Sequence, residues 1–460
     1  MKIKTISRSS ETYVPVRNTQ ENAIPRNLNP ALHPFERGRE YTRALNATKL
    51  ERMFAQPFVA QLGQGHRDGV YCLAKNFKAV NKIATGSGDG IVKYWDVTSR
   101  EEQYSFKAHY GMVSGLVVTP DNKMLSCGSD KSIKLWDLNN ETNYGQNYDD
   151  TEETSTKGLL KTFLAEFALQ SMDHHRDEGL FVTGGAEINL WDENRSRPIS
   201  NLSWGADNVT CVKFNQTETS IIASAGTDNS LILYDTRTNS ATQKIKTRMR
   251  TNAISWNPME AYIFATANED QNGYLWDMRK MDRATNVYQD HVSAVMDIDF
   301  APTGQEVVTG SYDKTIRIYR YLQGHSRDVY HTKRMQRVFI TKFSMDSKYI
   351  FSGSDDGNIR IWRSKSNERS APKSTRERNK LEYDEKLKER YASMPEIRRI
   401  SRHRHLPEVI KKAQDIKRTE IQAIKRKEEN ERRHSKKGSV PYKSERERPV
   451  MGKVHTNEGV

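Results

Sequence analysis

The stretch "GSGDGIVKYWD", residues 86–96, puts Gly, Ser and Asp ahead of a short apolar run that ends in Trp-Asp. Gly and Asp supply the tight turn, and the alternating apolar residues after them read as a strand. "CGSDKSIKLWD" at 127–137 repeats the pattern, as do the turns "GSYDKTI" (310–316) and "GSDDGNI" (353–359). The strand ends "KYWD", "KLWD", "NLWD", "ILYD", "YLWD", "RIYR" and "RIWR" place an aromatic at Trp95, Trp136, Trp191, Tyr234, Trp276, Tyr319 and Trp362. Their spacings are 41, 55, 43, 42, 43 and 43 residues, and in six copies an Asp sits six residues earlier: Asp89, Asp130, Asp228, Asp270, Asp313 and Asp356.

A period in the low forties with this strand end predicts four-stranded propeller blades, and seven copies are enough to close a ring. About twenty-two residues before the Asp, three copies carry a His: His66 in "GHRDGV", His109 in "AHYGMV" and His291 in "DHVSAV". These residues resemble the WD-repeat family. The resemblance implies that each turn Asp orients a His, a strand hydroxyl and the Trp in a buried hydrogen-bonded network, since buried polar groups need partners. His66, His109, His291 and the turn Asp residues are therefore scaffold rather than catalysts. The segment "PFVAQL" at 57–62 is a lone strand before the first repeat, and the last repeat ends at Trp362 without a fourth strand. Pairing the two would close the ring and remove its exposed edges.

The copies that depart from the pattern carry more information. The third has a shortened turn, "GGAEINLWD", with no Asp at the usual place, so its network should be incomplete. The 55-residue spacing holds an acidic insertion at 139–158, "NNETNYGQNYDDTEETSTKG", expected to be an exposed loop. In the fifth and seventh copies the His position falls in "KTRMRTN" and "HTKRMQRV". One Arg of each loop could replace His against Asp270 or Asp356. Arg248, Arg250, Arg334 and Arg337 exceed that need and form a candidate basic patch on the face of the His-bearing loops.

Charge separates the chain into a body and two arms. Residues 364–460 hold 28 Lys and Arg against 16 Asp and Glu, and residues 1–56 hold 10 against 5. With a net charge of +14 overall, 57–363 is left at −3. Basic arms on a near-neutral body suit a polyanion, nucleic acid above all. The expected organisation is an N-terminal extension (1–56), a propeller (57–363) and a basic, mainly α-helical tail (364–460). In the extension, Ala44, Ala47, Leu50 and Phe54 suggest a short amphipathic helix ended by Pro57, docked on the propeller or a partner. The tail should be helical over about 375–435, with Pro407 opening its last helix and an apolar stripe too thin for a core of its own.

The tail stretch "RRISRHRHLPEVIKK" (398–412) packs six Lys or Arg and two His into fifteen residues. Arg398, Arg399, Arg402, Arg404, Lys411 and Lys412 suit phosphate contact, and His403 and His405 could stack on or hydrogen-bond to RNA. Lys425, Arg426, Lys427, Arg432 and Arg433 extend the basic surface and also read as a nuclear-import signal. A metal site on His403 and His405 is disfavoured, because the two rings diverge and no third ligand lies near. Cys72, Cys127 and Cys211 form no CxxC pair, so neither a zinc module nor a disulfide framework is indicated. Without an apolar h-region or a membrane-length run, the chain reads as soluble and from a reducing compartment.

The combination of "YVPVRNTQENAIPRNLNPALHPFERGREYTRALNATKLERMFAQPF", "FATANED", "LWDMR", "VYHTKRMQRV" and "IRRISRHRHLP" through "RRHSKKGSVP" resembles the Sof family of nucleolar WD-repeat proteins. That resemblance implies a non-catalytic scaffold of the small-subunit processome in the nucleus and nucleolus. Its partners would be pre-ribosomal RNA, the box C/D small nucleolar ribonucleoprotein and other processome proteins, with no cofactor, membrane or small-molecule substrate. A second resemblance points elsewhere. Arg237 in "LYDTR" and Arg279 in "LWDMR" resemble the doubled WDxR box of substrate receptors of cullin-RING ubiquitin ligases. An enzyme is disfavoured, since "GSGDG" mimics a phosphate loop but lies in a blade turn, and no P-loop, nucleophile elbow or metal cluster occurs.

Overall fold

The computed structural model describes residues 29–139, 158–202, 204, 207–368 and 371–455. The extension before residue 29 and all but the two ends of the acidic insertion lie outside the described residues. Each of the seven repeats forms an antiparallel sheet. Blade one runs through Val70–Lys75, Lys82–Ser87, Ile91–Asp96 and Glu101–Lys107, and the next five follow the same up-and-down order. Blade seven takes Val338–Phe343, Tyr349–Ser354 and Ile359–Arg363, and its fourth strand is Phe58–Gln61, paired Phe58 to Trp362 and Gln61 to Arg360. The lone strand thus closes the ring.

The turns explain why the Asp recurs. In six blades the Asp carboxylate accepts from the backbone N–H two residues on, at 2.9 to 3.4 Å, giving an Asx turn. The intervening residue is left-handed every time: Gly90, Lys131, Asn229, Gln271, Lys314 and Gly357. Four of these are not glycine, and the Asp hydrogen bond offsets the cost of positive φ there. In five blades the indole N–H of the strand-end Trp reaches a hydroxyl: Trp95, Trp136, Trp191, Trp276 and Trp362 donate to Thr85, Ser126, Thr183, Thr266 and Ser352 at 2.7 to 3.0 Å. All five Trp side chains are fully buried, joining apolar clusters that fill the spaces between blades. The three cysteines are buried free thiols, and burial pushes Cys127 up to about 12.

Ion pairs staple the innermost strands. Lys342 Nζ lies 2.9 Å from Asp297, Lys213 Nζ 2.9 Å from Asp173, and Lys75 Nζ 2.6 Å from Asp299. The same carboxylates accept backbone N–H groups of the neighbouring blade, from Thr341, Phe214 and Phe343, each at 2.8 Å. Such pairs roughly break even against apolar packing but fix which strand lies beside which.

The stretch 364–460, expected as one helical domain, divides between two compact units. In one, α1 (Glu36–Met53) packs with α2 (Thr375–Arg390) and α3 (Pro395–Arg402). Ala44, Leu387 and Ile397 form its centre, with Tyr41, Leu45, Tyr383 and Tyr391 around them. Ser374 caps α2 by accepting from Glu377 N, and Pro395 opens α3. Charged contacts line the seam: Arg390 to Glu40 and Lys388 to Glu51, both at 2.9 Å, and Arg52 to the carbonyl of Ser401 at 2.8 Å. The expected stripe of α1 is therefore corrected. Its inward face is Tyr41, Ala44, Leu45 and Thr48, an i, i+3, i+4, i+7 set, whereas Leu50 and Phe54 are half exposed or more. Its docking surface is the chain's own tail.

The other unit joins residues 406–455 to the ring. Helix α4 (Glu408–His434) begins after Pro407 as expected, and buries Ile410. The chain then returns along the ring: Ala284 N donates to the carbonyl of Arg446 and Arg248 N to that of Pro449, both at 2.9 Å. Val450–His455 finally forms a strand beside Ser240–Thr247, a fifth strand on blade four.

Candidate nucleic-acid interface

The predicted networks are uneven around the ring. In blade two His109 meets Asp130 at 3.0 Å through Nδ1 and Ser126 Oγ at 2.8 Å through Nε2, and Trp136 donates to the same hydroxyl. In blade six His291 meets Asp313 at 2.8 Å and Thr309 at 2.7 Å. Burial lowers the pKa of His291 and favours its neutral form. Blade one departs from expectation. His66 reaches Thr85 at 2.8 Å, but Asp89 binds Ser87 and the N–H of Ile91 instead, leaving His66 Nδ1 buried without a partner among the described residues. Burial, then the Lys93 charge, lowers His66 to about 3.

Blades five and seven correct a second expectation. Asp270 accepts from the Tyr274 hydroxyl, and Asp356 from Ser354 and the Arg360 guanidinium; the hydrogen-bond partner is thus not a loop arginine in either blade, and Arg248 acts on Asp270 only through its charge. Asp228, in blade four, takes Ser230 and lies 3.7 Å from Lys244. Arg248, Arg334 and Arg337 are exposed and Arg250 is half-buried. Arg337 lies 5.4 Å over the ring of Tyr312.

The basic run 398–412 is shared between the two units. Arg398, Arg399 and Arg402 are exposed on α3, and His403 ends that helix. The Arg404 guanidinium donates to the carbonyls of Ser401 and His403, and His405 is exposed in the connection. Lys411 and Lys412 stand on the first turn of α4, the latter 2.8 Å from Glu408. Further along, Lys425 pairs with Glu445 at 2.5 Å, Arg433 with Glu429 at 2.6 Å, and Arg432 lies over Tyr442 at 5.0 Å. Arg426 and Lys427 are exposed, the former with Nε on the carbonyl of Gln422. Among the described residues no group of three or more His, Cys, Asp or Glu is placed to hold a metal ion, and no helix is long and apolar enough to cross a membrane.

Two tail residues escaped the sequence reading. Arg418 is exposed on α4 between the two basic clusters. Lys417 turns the other way: its Nζ donates to the carbonyl of His291 at 2.7 Å, near Asp270, Asp290 and Asp313, and burial lowers its pKa. Its position seven residues after Ile410 marks it as part of the buried face, a signal hidden by its charge.

Comparison with known proteins covers both parts of this architecture. A WD domain, G-beta repeat model matches 58–96, 100–137, 196–235, 283–320 and 320–363, leaving out stretches that hold the atypical blades three and five. A Sof1-like domain model matches 364–450. Protein SOF1 of Saccharomyces cerevisiae is 63% identical across 100% of this chain and 96% of its own. The chain belongs to the Sof1 family. Protein sof1 of Schizosaccharomyces pombe is 54% identical over 98% of this chain and 99% of its own. The human DDB1- and CUL4-associated factor 13 is 45% identical over 99% and 100%. The Sof1-like match thus runs from the ring's end through α2, α3 and α4 to the first residue of the fifth strand of blade four.

Arg237 and Arg279, the residues of the WDxR-like box, stand on neighbouring blades. Each guanidinium pairs with the Asp two residues before it, Asp235 at 3.2 Å and Asp277 at 2.9 Å, and Arg279 also stacks on Tyr262 at 3.8 Å. Their side chains remain 73% and 59% exposed, so the pairs hold them in place without hiding them.

Proposed function

We propose that this Sof1-family chain is a non-catalytic scaffold of the small-subunit processome, acting in ribosome biogenesis in the nucleolus. The ring supplies docking faces, and the tail holds pre-ribosomal RNA or its box C/D guide. The observation that carries this reading is the full-length similarity to Protein SOF1, reaching through a tail whose α4 turns Lys411, Arg418, Arg426 and Lys427 to solvent. Cationic side chains along a helix are suited to successive phosphates, and binding through them weakens steeply with salt. The test is crosslinking to RNA in cells, comparing the intact chain with K411Q/R418Q/R426Q/K427Q. Crosslinks on pre-ribosomal or guide RNA that fall in the variant support the reading. Unchanged crosslinks, or none on these RNAs in the intact chain, refute it. Truncation at Arg363 is a poorer test, because it also removes the strand Val450–His455 from blade four.

A second reading rests on the relatives named DDB1- and CUL4-associated factor 13 and on the preset geometry of Arg237 and Arg279. Both arginines would then contact the adaptor of a cullin ligase. Co-purification of such an adaptor, lost in R237A/R279A, would support it, and retention would remove it.

A further inference from the structure

Where blades seven and one meet, on the face of the His-bearing loops, two aromatic rings are partly open to solvent. Tyr71 is the second residue of the innermost strand of blade one, and Phe339 the second of the innermost strand of blade seven. Their rings stack at 4.7 Å with 14° between planes. Tyr312, just after the strand Glu306–Ser311 of blade six, meets Phe339 edge-on at 5.9 Å. Tyr71 is 37% exposed, and Tyr312 and Phe339 are half-buried. None of the three serves the Trp-centred network of a blade.

Two exposed carboxylates border the stack. Asp68 holds the N–H of Gly69 at 2.7 Å, and Asp355 stands in the turn of blade seven. Neither enters an ion pair among the described residues. Glycine brings both close to the rings: a Cβ on Gly88 would lie 2.4 Å from Asp68 Oδ2 and 2.9 Å from the Tyr71 ring. A Cβ on Gly69 would lie 3.3 Å from the Phe339 ring and 3.5 Å from Asp355 Oδ1. Burial, with the charges of Asp68 and Asp355, raises the pKa of the Tyr71 phenol.

An aromatic face beside unpaired carboxylates is complementary to a cation. Ring quadrupole and carboxylate charge attract the same ligand, while the carboxylates oppose a phosphate backbone. The patch already holds one cation this way at its edge, where the Arg337 guanidinium lies over Tyr312. A planar guanidinium can stack on a ring and still donate sideways to two carboxylates, which a compact ammonium cannot do as well. We propose that this patch docks an arginine side chain of a partner protein, stacked on the open face of Tyr71, whose other face is backed by Phe339, and paired with Asp68 and Asp355. The site is independent of the basic tail, and its ligand is a protein segment rather than RNA.

Fluorescence anisotropy of a labelled Arg-Gly repeat peptide with the full chain tests it, alongside a Lys-Gly peptide and an oligouridine. The Arg peptide should bind saturably and more tightly than the Lys peptide. D68N/D355N should weaken it by about tenfold or more, as expected for loss of two charge-assisted contacts, with the thermal midpoint unchanged. A charge-matched control at exposed sites elsewhere, E101Q/E178Q, should bind as the parent does. Absence of saturable binding, equal affinity of D68N/D355N, or equal weakening of the control would overturn the proposal. Oligouridine binding that changes on Y71A while Arg-peptide binding does not would also overturn it, and would make the stack a nucleobase platform.

Discussion

His109 Nδ1 lies 3.0 Å from Asp130, whereas the equivalent Asp89 of the preceding blade makes no bond to His66. The same sequence pattern therefore supports two different networks. Asp130→Ala leaves the fully buried His109 Nδ1 with only the Ser132 hydroxyl at 3.0 Å and removes the turn's acceptor, and should cost about 2 kcal/mol or more. Asp89→Ala removes only its Asx turn and Ser87 contacts and should cost less than half as much. Urea unfolding of the two variants checks this, and equal losses would contradict it.

The neutral His66 makes stability depend on pH. Its folded pKa, about 3, lies below the ordinary histidine value of 6.5, so the unfolded chain binds the extra proton between these limits. Its contribution is complete above pH 6.5 and is lost as pH falls toward 3. The slope contributed by this one group approaches about 1.4 kcal/mol per pH unit. His66→Gln should flatten the acid limb of a stability profile from denaturant titrations at pH 4 to 7. Coincident profiles would show that His66 does not carry it.

Lys342 and Asp297 are both largely buried, at 14% and 8% side-chain exposure. Lys342→Met leaves the Asp297 charge with only backbone partners and should cost about 3 kcal/mol or more, whereas K342M/D297L should recover most of that loss. A double-mutant cycle in urea measures the difference. Additive losses would show that the pair is not coupled.

Val450–His455 shields the outer edge of blade four. A chain ending at Arg448 should leave the amides of 240–247 to exchange with solvent faster, by about tenfold or more in the strand's outward-facing positions. Hydrogen exchange read by mass spectrometry resolves this segment. Unaltered exchange would mean that the fifth strand adds no protection.

Leu387 is 1% exposed in the small core shared by α1, α2 and α3. Leu387→Ala should cost about 2–4 kcal/mol in that unit, enough to loosen a core of so few residues. Circular dichroism at 222 nm should fall relative to the parent. A helical signal equal to the parent's would show that the three helices hold without that side chain.

Much of the ring was legible because its code is local. An Asp two residues before a backbone N–H makes its turn alone, and a Trp six residues later finds the hydroxyl on the strand before it. Closure by 57–62 followed from the missing fourth strand of the last repeat. Where the code breaks, locality fails as well. Nothing beside Asp270 in the chain distinguishes Tyr274 from a loop arginine as its partner, because Tyr274 competes through the shape of the folded blade. The candidate basic residues were visible as charges, but not which stay in solvent. Lys417 and Arg418 are neighbours on one helix, and only packing sends the first onto the ring and leaves the second outside.

By itself, the sequence determined the seven blades, their turns and closure, the helical tail and the concentration of positive charge in the arms. These depend on contacts between residues near in sequence or repeated with a fixed period. Tertiary structure alone decided that α1 pairs with α2 and α3, that α4 belongs with the ring, and that "VMGKVH" completes blade four. These contacts join segments hundreds of residues apart. The last of them rests on backbone hydrogen bonds, which an open strand edge offers to many extended segments whatever their side chains.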